Sequence, residues 1–440
     1  MKVCVIGAGC SGLTAVKNLI QAGIEDVVCY EQSNQIGGNW VYTPEVSHSS
    51  VCDTTHLISS KSMSEFIDFP MPDDYPDYPS HDLILKYFQS YAHHYGLMDY
   101  LKLSVKVEKV ERTSSHRWRV HTSDNVYEDF DHLLVSNGHH SVPRHPDLPG
   151  FFSEEYLHSH SFKTNTPFRN KRVLVIGGGN SGCDCAVESS RVAAFTALSM
   201  RRPHYIVPKF FMGRPADSFN TRLLWLPKKI GDFVRRCSLM IQIGGYKKYN
   251  LPNPDFPITA DHPTMNSELL YMIRHGKVHP RKGIQHIENK LVTFVDGISE
   301  EYDVIIAATG YKIATPFFDD NLINYSEADR IPLFLRIFHP QFRNLYFIGL
   351  VQPQGAIWPL SDLQSKLVAN YIAGRVELPH DLETLAEKDS DEIESSFLKR
   401  KRHVIEVHYH QYVKKLKKWI PRNAPEWKET KVKENVERIS

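Results

Sequence analysis

The chain has 440 residues, 41% of them hydrophobic and 23% charged, values typical of a globular protein that argue against a disordered or fibrous one. At roughly 150 residues per domain that length allows two or three units. With 52 basic against 51 acidic side chains the net charge is +1, which gives no electrostatic reason to expect nucleic acid as a partner. Seven cysteines at positions 4, 10, 29, 52, 183, 185 and 237 make neither a disulfide framework nor paired zinc spacing, so a reducing, cytoplasmic setting is expected. No secretory leader is expected, and no apolar run reaches the roughly 18 to 20 residues of a transmembrane segment.

Lys2 to Ile6 reads as a buried strand, Gly7 to Gly12 as a tight turn, Leu13 to Ala22 as a helix and Val27 to Tyr30 as a second strand, which is a βαβ unit. The same grammar returns 170 residues later, with strand Arg172 to Ile176, turn Gly177 to Gly182, helix Cys183 to Val192 and strand Phe195 to Met200. A further apolar strand runs into glycine after each unit, His132 to Ser136 before Gly138 and Asp303 to Ala308 before Gly310. The proline-rich segment Phe69 to Ser80 reads as a fixed irregular loop. Arg214 to Pro263 shows no sustained period and reads as an insertion, lid-like in character. After about Glu377 an acidic stretch, Asp381 to Glu394, precedes basic stretches at Lys399 to Arg402 and Lys414 to Lys418. A solvated amphipathic helix wrapping the body is the simpler expectation there, a membrane-surface or anionic-partner patch the alternative.

The expected fold is α/β: two Rossmann-like dinucleotide-binding domains, the second inserted into the first, plus a C-terminal helical extension. The expected boundaries are 1–163 and 298–376 for the first domain, 164–297 for the second and 377–440 for the extension. Gly7-x-Gly9-x-x-Gly12 is the dinucleotide fingerprint, and Glu31 lies 19 residues beyond Gly12. A carboxylate there accepts from both ribose hydroxyls and repels a 2′-phosphate, which suits FAD. Gly177-x-Gly179-x-x-Gly182 repeats the fingerprint, but the residue 19 positions on is Arg201, with Arg202 beside it. A guanidinium pairs with a 2′-phosphate, so the second unit suits NADPH. One dinucleotide fold for each end of an electron transfer implies a flavoprotein reduced by a pyridine nucleotide. The close pair Cys183 and Cys185 sits in a helix and does not suit a disulfide reductase.

These residues resemble the flavin-containing monooxygenases. The likeness covers roughly residues 1 to 375 and rests on Gly7 to Gly12, Glu31, Ile36-Gly37-Gly38-Asn39-Trp40, the loop Asp68 to Pro76, Gly177 to Asp184, Ala308 to Tyr311 and Phe347 to Pro353. The family's identifying sequence is matched by Phe152, His158, Phe162 and Lys163, with Glu154 in place of its glycine, and Phe162-Lys163 looks like the N- and S-oxygenating branch. The resemblance implies FAD contacts from Gly7, Gly9, Cys10, Ser11, Gly12, Glu31, Gly38, Asn39, Trp40, Val107 and Gln352. For NADP it implies Ser59, Ser60, Gly177, Gly179, Asn180, Ser181, Gly182, Arg201 and Arg202.

An ungapped count puts the family's flavin-proximal Thr-Asn pair on Leu57-Ile58, where Ile58 cannot hydrogen bond through its side chain, so His56, Ile58, Ser59, Ser60 and Gln352 are the flavin-proximal candidates. No side-chain nucleophile is implied. His158 reads as a linker residue fixing domain geometry. His139-His140 and His408-x-His410 lack a Cys, Asp or Glu complement, so no metal is expected.

The implied reaction is oxygenation of a soft nitrogen or sulfur nucleophile by NADPH and O₂ through a C4a-hydroperoxyflavin. Alternatives are Baeyer-Villiger oxidation of a ketone and an uncoupled oxidase releasing H₂O₂. The expected partners are therefore O₂ and a small nucleophilic or carbonyl substrate, and a homodimer is compatible with the sequence.

Overall fold

The computed structural model describes residues 1–223, 225–398 and 403–426. Its frame is two five-stranded parallel sheets. The first runs in the order Leu345–Phe347, His132–Val135, Val3–Ile6, Val27–Tyr30, Leu101–Lys102. The second runs Glu155–His158, Val304–Ala307, Arg172–Ile176, Phe195–Ser199, His279–Arg281. Parallel strands are covered on both faces, which is why Val3–Ile6 and Val304–Ala307 are apolar and buried at every position. Helices Cys10–Gln21 and Trp358–Ile372 pack together on the first sheet, and Asn180–Ser190 covers the second.

The two sheets correspond strand for strand, as the paired sequence grammar suggested. They correct the expected boundaries, however. Strands Glu155–His158 and Val304–Ala307, placed by sequence in the first domain, pair within the second sheet, because the strand before Gly310 is the counterpart of the strand before Gly138. Both helices also start three residues earlier than expected, at Cys10 and Asn180, so the third glycine of each turn already lies inside the helix.

The stretch read as aperiodic contains a 16-residue helix, Lys228–Ile243. Its punctuation was in the sequence: Pro227 directly before it and Gly244 directly after, the latter left-handed at φ +73°. This insertion reaches the first unit, where Asp217 Oδ2 accepts from Ser60 N at 2.6 Å and Lys209 Nζ donates to Leu57 O at 2.9 Å. The proline-rich loop is held by Lys61, whose Nζ donates to the carbonyls of Pro72, Asp73 and Tyr75 at 3.0–3.1 Å.

In the C-terminal extension, helices Leu382–Ser396 and Tyr409–Trp419 wrap the body, and Leu416 and Tyr412 are buried. Lys415 bridges Asp389 and Glu392, so the basic helix meets the acidic one. The basic run Lys399 to Arg402 lies outside the described residues. No helix among the described residues is long and apolar enough to cross a membrane.

Candidate functional site

Each glycine turn is dictated by close packing. Gly7 turns at φ +97° and Gly177 at φ +121°, and a β-carbon on Gly12 or Gly182 would sit 1.7 or 1.9 Å from the carbonyl oxygen of Gly7 or Gly177. Those third glycines therefore bring the helix onto the strand and do not line the cavity. The unpaired first-turn amides of each helix make a site for an anionic pyrophosphate.

In the first unit Glu31 is 5% exposed, and its two oxygens accept from Ala8 N at 2.7 Å and Ser33 N at 2.8 Å. Each oxygen keeps capacity for a ribose hydroxyl. Asn39 Oδ1 accepts from the amide and hydroxyl of Ser50 at 2.8 and 2.9 Å, which pins Gly38–Trp40 to the loop leading to residue 58. Trp40 meets Trp358 edge to face with ring centres 5.6 Å apart.

The second unit differs at the equivalent corner. Gly7 N donates to Tyr30 O and Gly177 N to Ser199 O, so the residue matching Glu31 is Met200 and not Arg201. The sequence count failed because the second unit reaches its strand end one residue sooner. Met200 is buried against the turn, its sulfur 2.6 Å from where a β-carbon on Gly178 would be. Arg201 and Arg202 follow, exposed and on the cavity wall, with Lys282 arriving from the neighbouring strand end. Among the described residues none of these three cations has a carboxylate partner within 4.0 Å.

A single cavity of about 1880 Å³ joins the two turns. From the first unit it takes Gly7, Gly9, Cys10, Ser11, Glu31, Gly38, Asn39, Trp40 and Val107. From the second it takes Gly177, Gly179, Asn180, Ser181, Arg201 and Arg202. Of the flavin-proximal candidates, His56, Ile58, Ser59 and Gln352 line it. Ser60 does not: it is buried at the start of the short helix Lys61–Ser64, its amide taken by Asp217, so its expected NADP contact is not supported. Ser59 Oγ lies 2.8 Å from Ser64 Oγ, His56 Nδ1 lies 2.8 Å from Thr54 O, and Gln352 Oε1 lies 3.2 Å from His139 Nε2.

His158 lies off the cavity, its ring pushed down to about 4 by burial, while Phe162 stacks on Phe168. Lys163 donates to Ser49 O at 2.6 Å, and His160 Nε2 lies 2.7 Å from Ser47 O. The identifying segment thus clamps residues 47–53 between the two units, as a linker would.

The sequence missed Asp184, one turn into the second helix. It faces the cavity, and desolvation pushes its carboxyl up to about 6 against the opposing pull of Lys209 and a hydrogen bond from Asn266. It also missed His262 and Glu406, which the insertion and the C-terminal extension bring to the same wall. Neither residue sits in a local motif, so only the folded chain reveals them.

The flavin-binding monooxygenase-like family profile matches residues 1–428. The chain belongs to that family. It is 34% identical to flavin-containing monooxygenase 5 of Rattus norvegicus over 432 residues, covering 93% of this chain and 80% of the rat protein. It is 34% identical over 401 residues to the N-oxide-forming dimethylaniline monooxygenase 2 of Macaca mulatta, covering 86% and 74% of the two chains. The S-allyl-L-cysteine S-oxygenase of Allium sativum has the same fold, with TM-score 0.73 and 22% identity over 95% of this chain and 88% of the other. This flavin-binding monooxygenase therefore uses FAD, NADPH and O₂. The side chains suit both nucleotides: a buried carboxylate acceptor beside one glycine turn and, beside the other, guanidinium donors with no carboxylate partner among the described residues.

Proposed function

We propose that this monooxygenase transfers one oxygen atom of O₂ to a soft nitrogen or sulfur nucleophile, with FAD held by the Gly7–Glu31 unit and NADPH by the Gly177–Arg201 unit. For a sulfide the balance is R₂S + O₂ + NADPH + H⁺ → R₂SO + NADP⁺ + H₂O. The observation that carries the reading is the shared cavity, because nicotinamide and flavin must meet in one chamber and both fingerprint turns open into it. The family's activity and the N-oxide-forming and S-oxygenating relatives support the choice of nucleophile.

Bound flavin supplies the electron transfer and the activation of O₂. The chain's own residues do the rest. Glu31 fixes the adenosine ribose of one nucleotide, Arg201 and Arg202 pair with the 2′-phosphate of the other, and helix N-termini take the pyrophosphates. Trp40, Leu57 and Ile58 give the cavity an apolar stretch of wall that keeps water from the reacting atoms. Seven cysteines without a disulfide support residence in a reducing cytoplasm.

The test is product analysis with a tertiary amine, a sulfide and a cyclic ketone, with H₂O₂ measured per NADPH consumed. N-oxide and sulfoxide formation with little peroxide supports the reading. Lactone from the ketone alone, or peroxide equal to NADPH under all conditions, would replace it.

A further inference from the structure

Glu406 is 1% exposed, lies on the wall of the shared cavity, and its Oε2 has no hydrogen-bond partner among the described residues. It belongs to neither nucleotide unit. The C-terminal extension delivers it through the parallel pairing of Gln352–Pro353 with Glu406–Val407, in which Gln352 N donates to Ile405 O at 2.7 Å. Two further ties fix that strand: His403 Nε2 lies 2.9 Å from Asp261 Oδ1, and Leu398 N donates to Ala260 O at 2.9 Å. The backbone that carries the carboxylate is therefore fixed beside that of Gln352, one of the flavin-proximal candidates.

A buried carboxylate is costly unless a cation or several donors offset it. Glu31 shows the satisfied case, with a backbone amide on each oxygen. Glu406 has no such donors among the described residues. It faces the imidazole of His262, with Nδ1 3.5 Å from Oε1, a contact without hydrogen-bond geometry. Its field also reaches His139 and His408, but burial pushes both rings down, so neither supplies a positive charge at neutral pH. No lysine or arginine among the described residues lies within 4.0 Å.

We propose that Glu406 is a specificity-determining residue that takes an ammonium, or another cationic N–H donor, carried by the substrate. The oxygenated atom must keep its lone pair, so the cation is a second group on the same molecule. The favoured class is then a small thioether or amine that also bears an ammonium. This rests on the N- and S-oxygenating reading above.

Two isosteric sulfides separate the possibilities: 2-(methylthio)ethylamine, an ammonium at about pH 7.5, and methyl propyl sulfide, which is neutral. Sulfoxide formed from the neutral compound by the wild-type holoenzyme reports the oxygenating reading by itself. The ratio of kcat/KM, charged over neutral, reports Glu406. Loss of a charge-assisted contact in Glu406→Gln should lower that ratio about tenfold or more, mainly through KM of the charged compound, and Glu406→Asp should restore part of it. A merely structural carboxylate would lower both substrates together and leave the ratio unchanged, which overturns the proposal. Should Glu406→Gln fail to hold flavin, the wild-type protein still decides. Propylammonium should compete with methyl propyl sulfide and 1-propanol should not; equal inhibition by the two, or none, overturns it.

Discussion

The two dinucleotide units share a sheet order, a glycine turn and a helix, yet they end differently at one corner. The first closes on Glu31, a buried carboxylate hydrogen-bonded to its own turn; the second closes on Met200, a neutral thioether packed on the turn, with its charge one residue further out in solvent. A fixed acceptor suits ribose hydroxyls and a nucleotide that stays. Exposed guanidinium groups suit a phosphate that arrives and leaves, since such contacts form without burying the cation. On the proposed assignment, the backbone grammar provides for a dinucleotide and the strand end for which one.

The largest effects come from filling the turns. Gly12→Val and Gly182→Val both drive a side chain into a backbone carbonyl, a clash costing more than about 3 kcal/mol locally. Gly12→Val should yield protein without FAD, whereas Gly182→Val should stay yellow but fail to be reduced by NADPH. Flavin absorbance per protein and anaerobic NADPH titration read the two outcomes, and loss of flavin in both would show that the units are not separable.

Next comes Lys17, which has no counterpart in the second unit. It is buried behind the first turn, with Nζ 2.6 Å from Asp68 and 2.7 Å from Asp362. Lys17→Met leaves the buried Asp362 carboxylate without its cation, at a cost of about 3 to 5 kcal/mol, toward the lower figure because Asp68 is partly exposed to water and Asn18 Nδ2 still donates to Asp362 Oδ1 at 2.8 Å. Burial alone would lower the lysine's pKa, but the carboxylates Asp362 and Asp68 outweigh it and the net shift is upward. The stabilisation is therefore complete below the ordinary lysine value of 10.5 and is lost as pH rises through the higher folded value. Denaturant melts of wild type and Lys17→Met should stay apart at neutral and mildly alkaline pH and converge in strong alkali.

The nucleotide choice is a smaller effect. Arg201→Ala should cost about 1.5 to 3 kcal/mol of NADPH binding, tenfold or more in the concentration required, with NADH little affected. Met200→Glu rebuilds the first unit's corner in the second, and should weaken NADPH relative to NADH in the same direction. Equal changes for both nucleotides would mean that these residues serve the fold. The smallest effect is at Ile58, whose side chain can make no polar contact to flavin or nicotinamide. Ile58→Asn should reduce H₂O₂ released per NADPH several-fold, about 1 kcal/mol. An unchanged yield would remove residue 58 from the reacting end of the cavity.

Much of this was legible in the sequence because it is local. Strands, turns and the acid after Val27–Tyr30 follow from patterns spanning some thirty residues, and residues of both turns line the cavity. What failed was either register or distance in sequence. Counting from glycines put Arg201 where Met200 stands, because one connection is a residue shorter. Ser60 reads like Ser59 until Asp217, 157 residues away, takes its amide. The strand before Gly310 was recognised as a repeat of the strand before Gly138, yet its pairing with Arg172–Ile176 was not carried into the domain boundaries. His262 and Glu406 meet the cavity only through long-range pairing that no local pattern encodes.

The most direct test of the account is turnover of methyl propyl sulfide under ¹⁸O₂ with limiting NADPH. The account predicts sulfoxide carrying one ¹⁸O atom, in an amount close to the NADPH consumed. Unlabelled sulfoxide, or NADPH consumed with only H₂O₂ formed, would contradict it.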